Sequence, residues 1–406
     1  MSLMPVAEAL QRLLASAAAH QQQPVRVLSL TDALGQVLAE PVCSAIDVPP
    51  WDNSAMDGYA LAEADLAQAM ADGLPVSQRI TAGVAPAALQ PGTCARIFTG
   101  APLPAGANAV QMQENTELLT DGRVRLLEPV AAGDNVRRQA QDVVSGQPLL
   151  AAGIRLRPQD LGVIASVGID QVGVRTPLRV AVVSTGDELV EPGQPLSPGQ
   201  IYNSNRFTLM GLLTEAGCEV VLCETLRDKR EATRETLQHA AEAADLVITS
   251  GGVSVGEEDH VRAVLEESGS LSLWKMAIKP GKPVAFGAIG GTPVLGLPGN
   301  PGSVLVTFLM VGMPYIRKRQ GRNPKPLSGE RIPADFTIDS PSIRREFVRA
   351  RKESRGSGPV VAAYPNQSSG ILSSTCWADG LAVVPENSTV SPGDLLTYYS
   401  FAELLS

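Results

Sequence analysis

The sequence predicts a multidomain α/β protein whose central unit is a doubly wound parallel sheet, flanked by a β-rich module, an N-terminal region and a small C-terminal β-barrel. Three observations carry this: a length of 406 residues, strictly alternating strand-like and helix-like segments between residues 178 and 322, and short turn-bounded β segments on both sides of that stretch. A single core rarely serves so long a chain, and roughly 100 to 200 residues per domain gives two to four domains.

Taken in order, residues 4–19 place apolar side chains at helical spacing behind Pro5, which suits a first helical turn. Residues 49–144 read as a β-rich insertion, with strands expected over 78–82, 95–99, 110–114 and 124–127 between Gly, Pro and Asn clusters. Helical spacing returns over 155–165. Residues 179–184 are a continuous apolar run of the kind found in strands buried on both faces. There follow helix 203–215, strand 220–224, helix 229–243, strand 245–250, helix 257–267, strand 294–297 and helix 303–320, an order that implies right-handed crossovers. The helix at 303–320 is apolar nearly all round, as core or a subunit interface would require. Beyond a linker near 322–326, β segments over 346–351, 360–363, 381–384 and 395–399 predict the small barrel or sandwich.

Composition excludes several classes. A net charge of -9 argues against a general nucleic-acid or anionic-membrane surface, either of which needs a broad basic patch. Five scattered cysteines without a C-x-x-C pair, and three histidines, argue against a thiolate or His-rich metal site; reduced thiols and a cytoplasmic location are expected. No apolar run is long enough for a membrane span, and neither G-x-G-x-x-G nor G-x-x-x-x-G-K-[ST] occurs, which sets aside ordinary dinucleotide and P-loop chemistry.

In an open parallel sheet, ligands bind beyond the carboxyl ends of the strands. Three loops fall there: Ser184 and Thr185 leading to Asp187 and Glu188, the Gly251 and Gly252 pair leading to Ser254 and Asp259, and the Pro298 to Ser303 turn containing Pro301. An isolated Gly pair is most often a tight turn; three such loops on one edge favour an anion cradle. Lys275, Lys279 and Lys282 crowd one Pro- and Gly-stiffened stretch of an acidic protein. Their mutual repulsion, on the order of 1 kcal/mol at ~4 Å in water, would be relieved by an anion. A solvated face is the plainer alternative. Asp187, Glu188, Asp228 and Asp259 could be helix caps, yet carboxylates beside a phosphate site call for a hard cation, which suits Mg²⁺ bridging a pyrophosphate.

These motifs, together with Asn53 to Tyr59 around Asp57, Thr99 to Pro102, and Lys279 to Pro283, occur in an order that resembles the MoeA and gephyrin E-domain family of molybdenum cofactor biosynthesis. The resemblance implies a molybdopterin-binding type of α/β domain at 178–322, a β-rich module at 49–144, residues 1–48 with 145–177 as an N-terminal dimerisation region, and a C-terminal barrel at 327–406. It implies an elongated homodimer that inserts molybdenum from molybdate into adenylylated molybdopterin, with Mg²⁺ or a similar ion, and releases AMP. A separate molybdopterin adenylyltransferase is then the expected partner supplying the substrate.

By residue matching, Asp57, Thr99 and Asp142 would come from one chain, and Glu188, Asp228, Asp259, Lys275, Lys279, Pro298 and Pro301 from the other, with Arg349 and Ser369 from the C-terminal domain. Asp57, Asp259, Lys275, Lys279, Lys282 and Arg349 are the implied catalytic set. Thr99, Asp142, Ser184, Thr185, Gly251, Gly252, Ser254, Asp228, Pro298, Pro301 and Ser369 would bind substrate, and Asp187, Glu188 and Asp259 would hold the metal. Two departures stand out: Ala140 and Gln141 precede Asp142 where the family usually shows Gly and Glu, and Ser368 precedes Ser369 where Gly is common. Rival readings are molybdopterin adenylylation by the same domain, and a binding scaffold of the gephyrin kind.

Overall fold

A computed structural model describes residues 3–20, 22–227, 229–253, 260–267, 270–323, 326–356 and 358–406. Its central sheet has six strands in the order Glu219–Leu226, Arg179–Thr185, Leu246–Ser250, Thr292–Leu297, Pro283–Ile289, Leu271–Lys275. The first four run parallel, as the alternation of strands and helices requires. The last two are antiparallel additions that the sequence reading did not separate. Gly290 and Gly291, both at positive φ (58° and 89°), close the hairpin between Ile289 and Thr292. A two-residue turn with both φ values positive matches the twist of the strands and is nearly closed to side chains with a Cβ, so this Gly pair was the available signal.

Arg179–Thr185 shows why an apolar run becomes a central strand. Val180 and Val182 enter one core, Ala181 and Val183 the other, so both faces are covered. The first core also takes Val6, Ala9, Leu13 and Ala17 from the helix Val6–Ala19, a stripe at helical spacing that packs on Met313–Arg319. The first helix, expected with residues 20–48 and 145–177, thus packs into the α/β core. The long apolar helix comprises Pro301–Thr307, a π turn Phe308–Gly312 and Met313–Arg319, the π turn preceding Pro314, which has no N–H to give. Its side chains from Val304 to Ile316 are largely core.

The β-rich module forms a six-stranded sheet in the order Ala109–Met112, Gly58–Leu61, Cys94–Ile97, Leu74–Ile80, Arg123–Leu126, Thr116–Leu118, around two small cores. The C-terminal sheet runs Ile278–Lys279, Arg345–Arg355, Gly380–Val384, Leu395–Ser400, Glu330–Pro333, with Gly358–Ala363 paired to Arg345–Arg355. Its first strand is therefore donated by the α/β region, and Phe347, Leu381 and Leu404 join the core shared with that region. The lysine-rich stretch is fixed at this joint. Among the described residues no helix is long and apolar enough to cross a membrane.

Candidate functional site

Strands Arg179–Thr185, Leu246–Ser250 and Thr292–Leu297 end side by side, with Ser184 opposite Ser250 and Ser250 opposite Leu297. The turn after Leu246–Ser250 needs glycine: Gly251 has φ +93°, and a Cβ there would lie 2.7 Å from the Thr185 carbonyl oxygen. Its N–H donates to Leu297 O at 3.1 Å, which ties two of the loops together. Likewise Gly302 N–H donates to Ser369 O at 2.8 Å, and Ser303 N–H to Asn300 O at 3.0 Å. These backbone donors are consumed within the fold. These three N–H groups are therefore not left for a ligand.

Lys279 stands 40% exposed with its ammonium 3.0 Å from Glu346, whose side chain is 9% exposed. Backbone register sets the pair, since Lys279 lies beside Glu346 in the parallel ladder between Ile278–Lys279 and Arg345–Arg355. A largely buried carboxylate holds the ammonium in place while leaving part of it open to a ligand. Lys282 is exposed beyond Gly281, and Lys275 is half-buried at the end of Leu271–Lys275.

The C-terminal contribution is a loop over residues 364–372. Arg349 lies beneath it at 1% exposure; its Nε–H donates to Ser374 Oγ and its terminal nitrogen to Ser368 O, each at 2.9 Å. Gln367 clasps the same strand, accepting from Arg349 N–H at 3.0 Å and donating to Arg349 O at 2.9 Å. Burial lowers the Arg349 pKa, against the opposing charge of Glu346. Arg349 thus positions the loop, while Arg344 reaches the cavity surface. Ser368 is not in the left-handed region, so the glycine common at this position is not needed here.

Together these parts enclose a cavity of about 920 Å³ lined by Thr185, Glu188, Lys279, Lys282, Pro298, Pro301 and Ser369, among others. Ser184, Gly251 and Gly252 lie at the strand ends behind it, and Lys275 and Asp187 are outside its lining. Three buried oxygens at this edge, Ser184 Oγ, Thr185 Oγ1 and Asn205 Oδ1, have no hydrogen-bond partner among the described residues. Asn205 is nevertheless fixed, its amide donating to Ser250 Oγ at 2.9 Å and Gly299 O at 2.6 Å. Unsatisfied buried polar atoms are uncommon because each costs roughly 1 to 3 kcal/mol.

Asp57, Thr99 and Asp142 lie elsewhere, on the rim of the β-rich module. Asp57 Oδ1 accepts from both the N–H and the hydroxyl of Thr99 at 2.8 Å, and the backbone bond, then the hydroxyl, holds its pKa below the usual 3.8. Arg96, stacked 4.7 Å over Phe98 and 5.1 Å over Tyr59, adds a favourable charge. Asp142 is exposed, and Ala140 before it sits at φ 58°, the conformation for which the family's glycine is suited. The chain does not bring this rim into the cavity.

Asp228, Ser254 and Asp259 lie outside the described residues. Among the described residues no cluster of three or more His, Cys, Asp or Glu could hold a metal ion; Glu188 is the carboxylate of the proposed metal set that lines the cavity. Sequence reasoning missed Glu346, Arg344 and Asn205. The first two could be found only from the strand pairing across the domain joint, whereas Asn203 and Asn205 carried a local signal, polar residues opening a helix after a short β segment.

Three family descriptions match the chain in order: "MoeA N-terminal region (domain I and II)" over residues 4–168, "Probable molybdopterin binding domain" over 181–318, and "MoeA C-terminal region (domain IV)" over 331–401. A molybdopterin molybdenumtransferase of Haemophilus influenzae is 41% identical over 383 residues, covering 93% of this chain and 94% of the relative. A molybdopterin molybdenumtransferase 2 of Mycobacterium tuberculosis is 37% identical over 376 residues, covering 90% and 92%. A crystal structure of a molybdopterin biosynthesis MoeA protein from Pyrococcus horikosii superposes with a TM-score of 0.82 at 32% identity, covering 98% of this chain and 99% of the other.

Proposed function

Because this chain belongs to the MoeA family of molybdopterin molybdenumtransferases, and so inserts molybdenum in the making of molybdenum cofactor, we propose that the cavity between the sheet edge and the 364–372 loop is where adenylylated molybdopterin receives the metal from molybdate. The buried oxygens of Ser184, Thr185 and Asn205, without partners among the described residues at the edge of a lysine-walled cavity that Thr185 and Asn205 line, are the observation that carries this assignment. A pyrophosphate-linked substrate supplies polar atoms to those oxygens and negative charge to Lys279, Lys282 and Arg344.

In this reading Lys279 is held by Glu346 beside the oxyanion, and Lys282 closes from the exposed side. Ser369, seated by Arg349 and by Gly302 N–H, presents its hydroxyl to the same region. The positions of these groups lower the cost of bringing a dianion beside soft sulfur atoms; positioning and charge neutralisation are the protein's contribution. A hard divalent cation such as Mg²⁺ fits the donor set, which is all oxygen: the Glu188 carboxylate, the Ser184 and Thr185 hydroxyls and the substrate's own phosphates would hold it. When bound, it would neutralise the pyrophosphate as AMP departs. Asp57, Thr99 and Asp142 enter the same site from the second chain of a homodimer, and a molybdopterin adenylyltransferase supplies the substrate.

The test is AMP release from adenylylated molybdopterin, measured with and without molybdate and Mg²⁺. Release that depends on both is expected; release indifferent to molybdate would remove the insertion reading, and accumulation of adenylylated molybdopterin from ATP would replace it with adenylylation.

A further inference from the structure

A second cavity, about 810 Å³, lies where residues 149–158, the end of Met313–Arg319 and the start of the C-terminal sheet meet, and it shares no lining residue with the first. Three guanidinium groups converge on it: Arg155, Arg317 and Arg322. Arg317 is 5% exposed; it donates to Leu404 O at 2.6 Å, but its Nε has no partner. One terminal nitrogen of Arg322 is likewise buried and, among the described residues, unpartnered. Arg155 Nε donates only to Gly35 O, at 3.0 Å. Among the described residues none of the three pairs with a carboxylate.

Two acidic side chains of the lining already have partners. Asp160 is paired to Arg157 at 2.9 Å, and Glu403 accepts from the N–H groups of Ser328 and Gly329 at 2.7 and 3.1 Å. Cys218 stays neutral, its thiol pushed up to about 12 by burial. Burial, then the charges of Arg317 and Arg155, lowers Arg322 to about 10. Buried like charges without a counter-ion are costly, and proteins ordinarily pair them or give them a ligand. The lining also has an apolar part, with Leu149, Leu150, Leu156 and Leu327.

We propose that this cavity is a second anion site, distinct from the molybdenum-insertion site, that takes a small organic phosphate: the oxyanion between Arg155, Arg317 and Arg322, the apolar body against the leucines. Planar guanidinium forks suit a phosphate's oxygens, and free nitrogens at Arg317 and Arg322 are the donors left for them. Because the wall is drawn from three parts of the chain, an occupant stabilises their junction.

The experiment uses the full chain with Lys279→Ala and Lys282→Ala together, which removes phosphate binding at the first site. Inorganic phosphate is expected to raise its thermal midpoint progressively, with chloride at matched ionic strength lacking the effect. Adding Arg322→Gln should abolish the phosphate increment while leaving the midpoint without phosphate unchanged or higher, since repulsion is relieved. Should Arg322→Gln not fold, Arg155→Gln makes the same test. Phenyl phosphate is expected to act at roughly tenfold lower concentration than inorganic phosphate, through its ring against the leucines. No phosphate-specific increment in the lysine variant, or the same increment after loss of Arg322, would overturn the site. Equal potency of the two phosphates would overturn the apolar wall's role.

Discussion

The sheet-edge cavity and the rim of the β-rich module handle their polar groups in opposite ways. At the sheet edge, buried oxygens of Ser184, Thr185 and Asn205 are without partners among the described residues, and Thr185 and Asn205 line about 920 Å³ of space. On the rim, Asp57 is half-buried, accepts two hydrogen bonds from Thr99 and does not line that cavity. The first region is arranged to receive a ligand, whereas the second is arranged to present a carboxylate to something brought against it. If both serve one reaction, the rim acts on a cavity formed by another copy of the chain.

The strongest test of this comparison separates the two halves. Lys279→Ala removes a held cation from the cavity and is expected to lower kcat/KM for molybdate-dependent AMP release about 10²- to 10³-fold, as loss of one oriented charge donor does. Asp57→Ala is expected to lower it as well. Coexpressed, the two variants should assort at random, so half the dimers are mixed and each mixed dimer holds one intact site. Activity should recover to roughly a quarter of the wild-type level. Two inactive variants that stay inactive when mixed, despite forming mixed dimers, would place both residues in one chain's site.

Arg349 gives the next largest effect and sharpens the account of the cavity itself. It lies at 1% exposure beneath the loop that carries Ser369, bonded to Ser374 and Ser368. Arg349→Met should cost about 1 to 3 kcal/mol in denaturant unfolding and raise KM more than it lowers kcat, because the loop loses its seat. Arg344→Gln, at the cavity surface, should weaken substrate binding with stability changed by less than about 0.5 kcal/mol. If Arg349→Met left stability intact but abolished kcat, the guanidinium would be touching substrate rather than holding the loop.

The contrast between these two arginines also shows what the sequence could convey. Strands such as Arg179–Thr185 were legible because burial on both faces demands a continuous apolar run, and the three loop motifs were legible because carboxyl strand ends must face one edge. Arg349 was assigned to the site from its motif, since nothing local to Glu346, Phe347 and Val348 tells whether the next side chain points into a cavity or under a loop. Lys279 was found, but its partner Glu346 was not: the pair arises only because Ile278–Lys279 leaves its own sheet for the C-terminal one. The N-terminal helix shows the same limit, for an apolar stripe states that a face is buried without naming what buries it.

A smaller effect bears on the rim. Ala140 occupies φ 58° two residues before Asp142, a backbone conformation that glycine, having no Cβ, adopts without steric cost. Ala140→Gly should therefore stabilise the fold by about 1 kcal/mol in chemical denaturation. The turn presenting Asp142 would be unchanged, so AMP release should stay at the wild-type rate. Destabilisation instead would mean that the loss of unfolded-state restriction outweighs the relief of strain at this turn.

The smallest effect concerns the ionisation of Asp57. Its pKa is lowered from 3.8 chiefly by the Thr99 N–H and secondly by the Thr99 hydroxyl, with the charge of Arg96 adding to both against a small opposing effect of burial. Thr99→Val removes the hydroxyl and keeps the N–H, so the Asp57 pKa should rise but remain below 3.8, as followed by NMR titration of the carboxyl carbon. Because the folded-state value is depressed, the carboxylate's contribution to stability is present above pH 3.8 and is lost as pH falls through the folded pKa. Thr99→Val should narrow that loss toward higher pH without altering stability's pH dependence near neutrality, where Asp57 is ionised in both proteins. An unchanged pKa would mean that the N–H alone holds the carboxylate, and the rim would then present Asp57 by backbone geometry, with the Thr99 hydroxyl left free to meet the substrate.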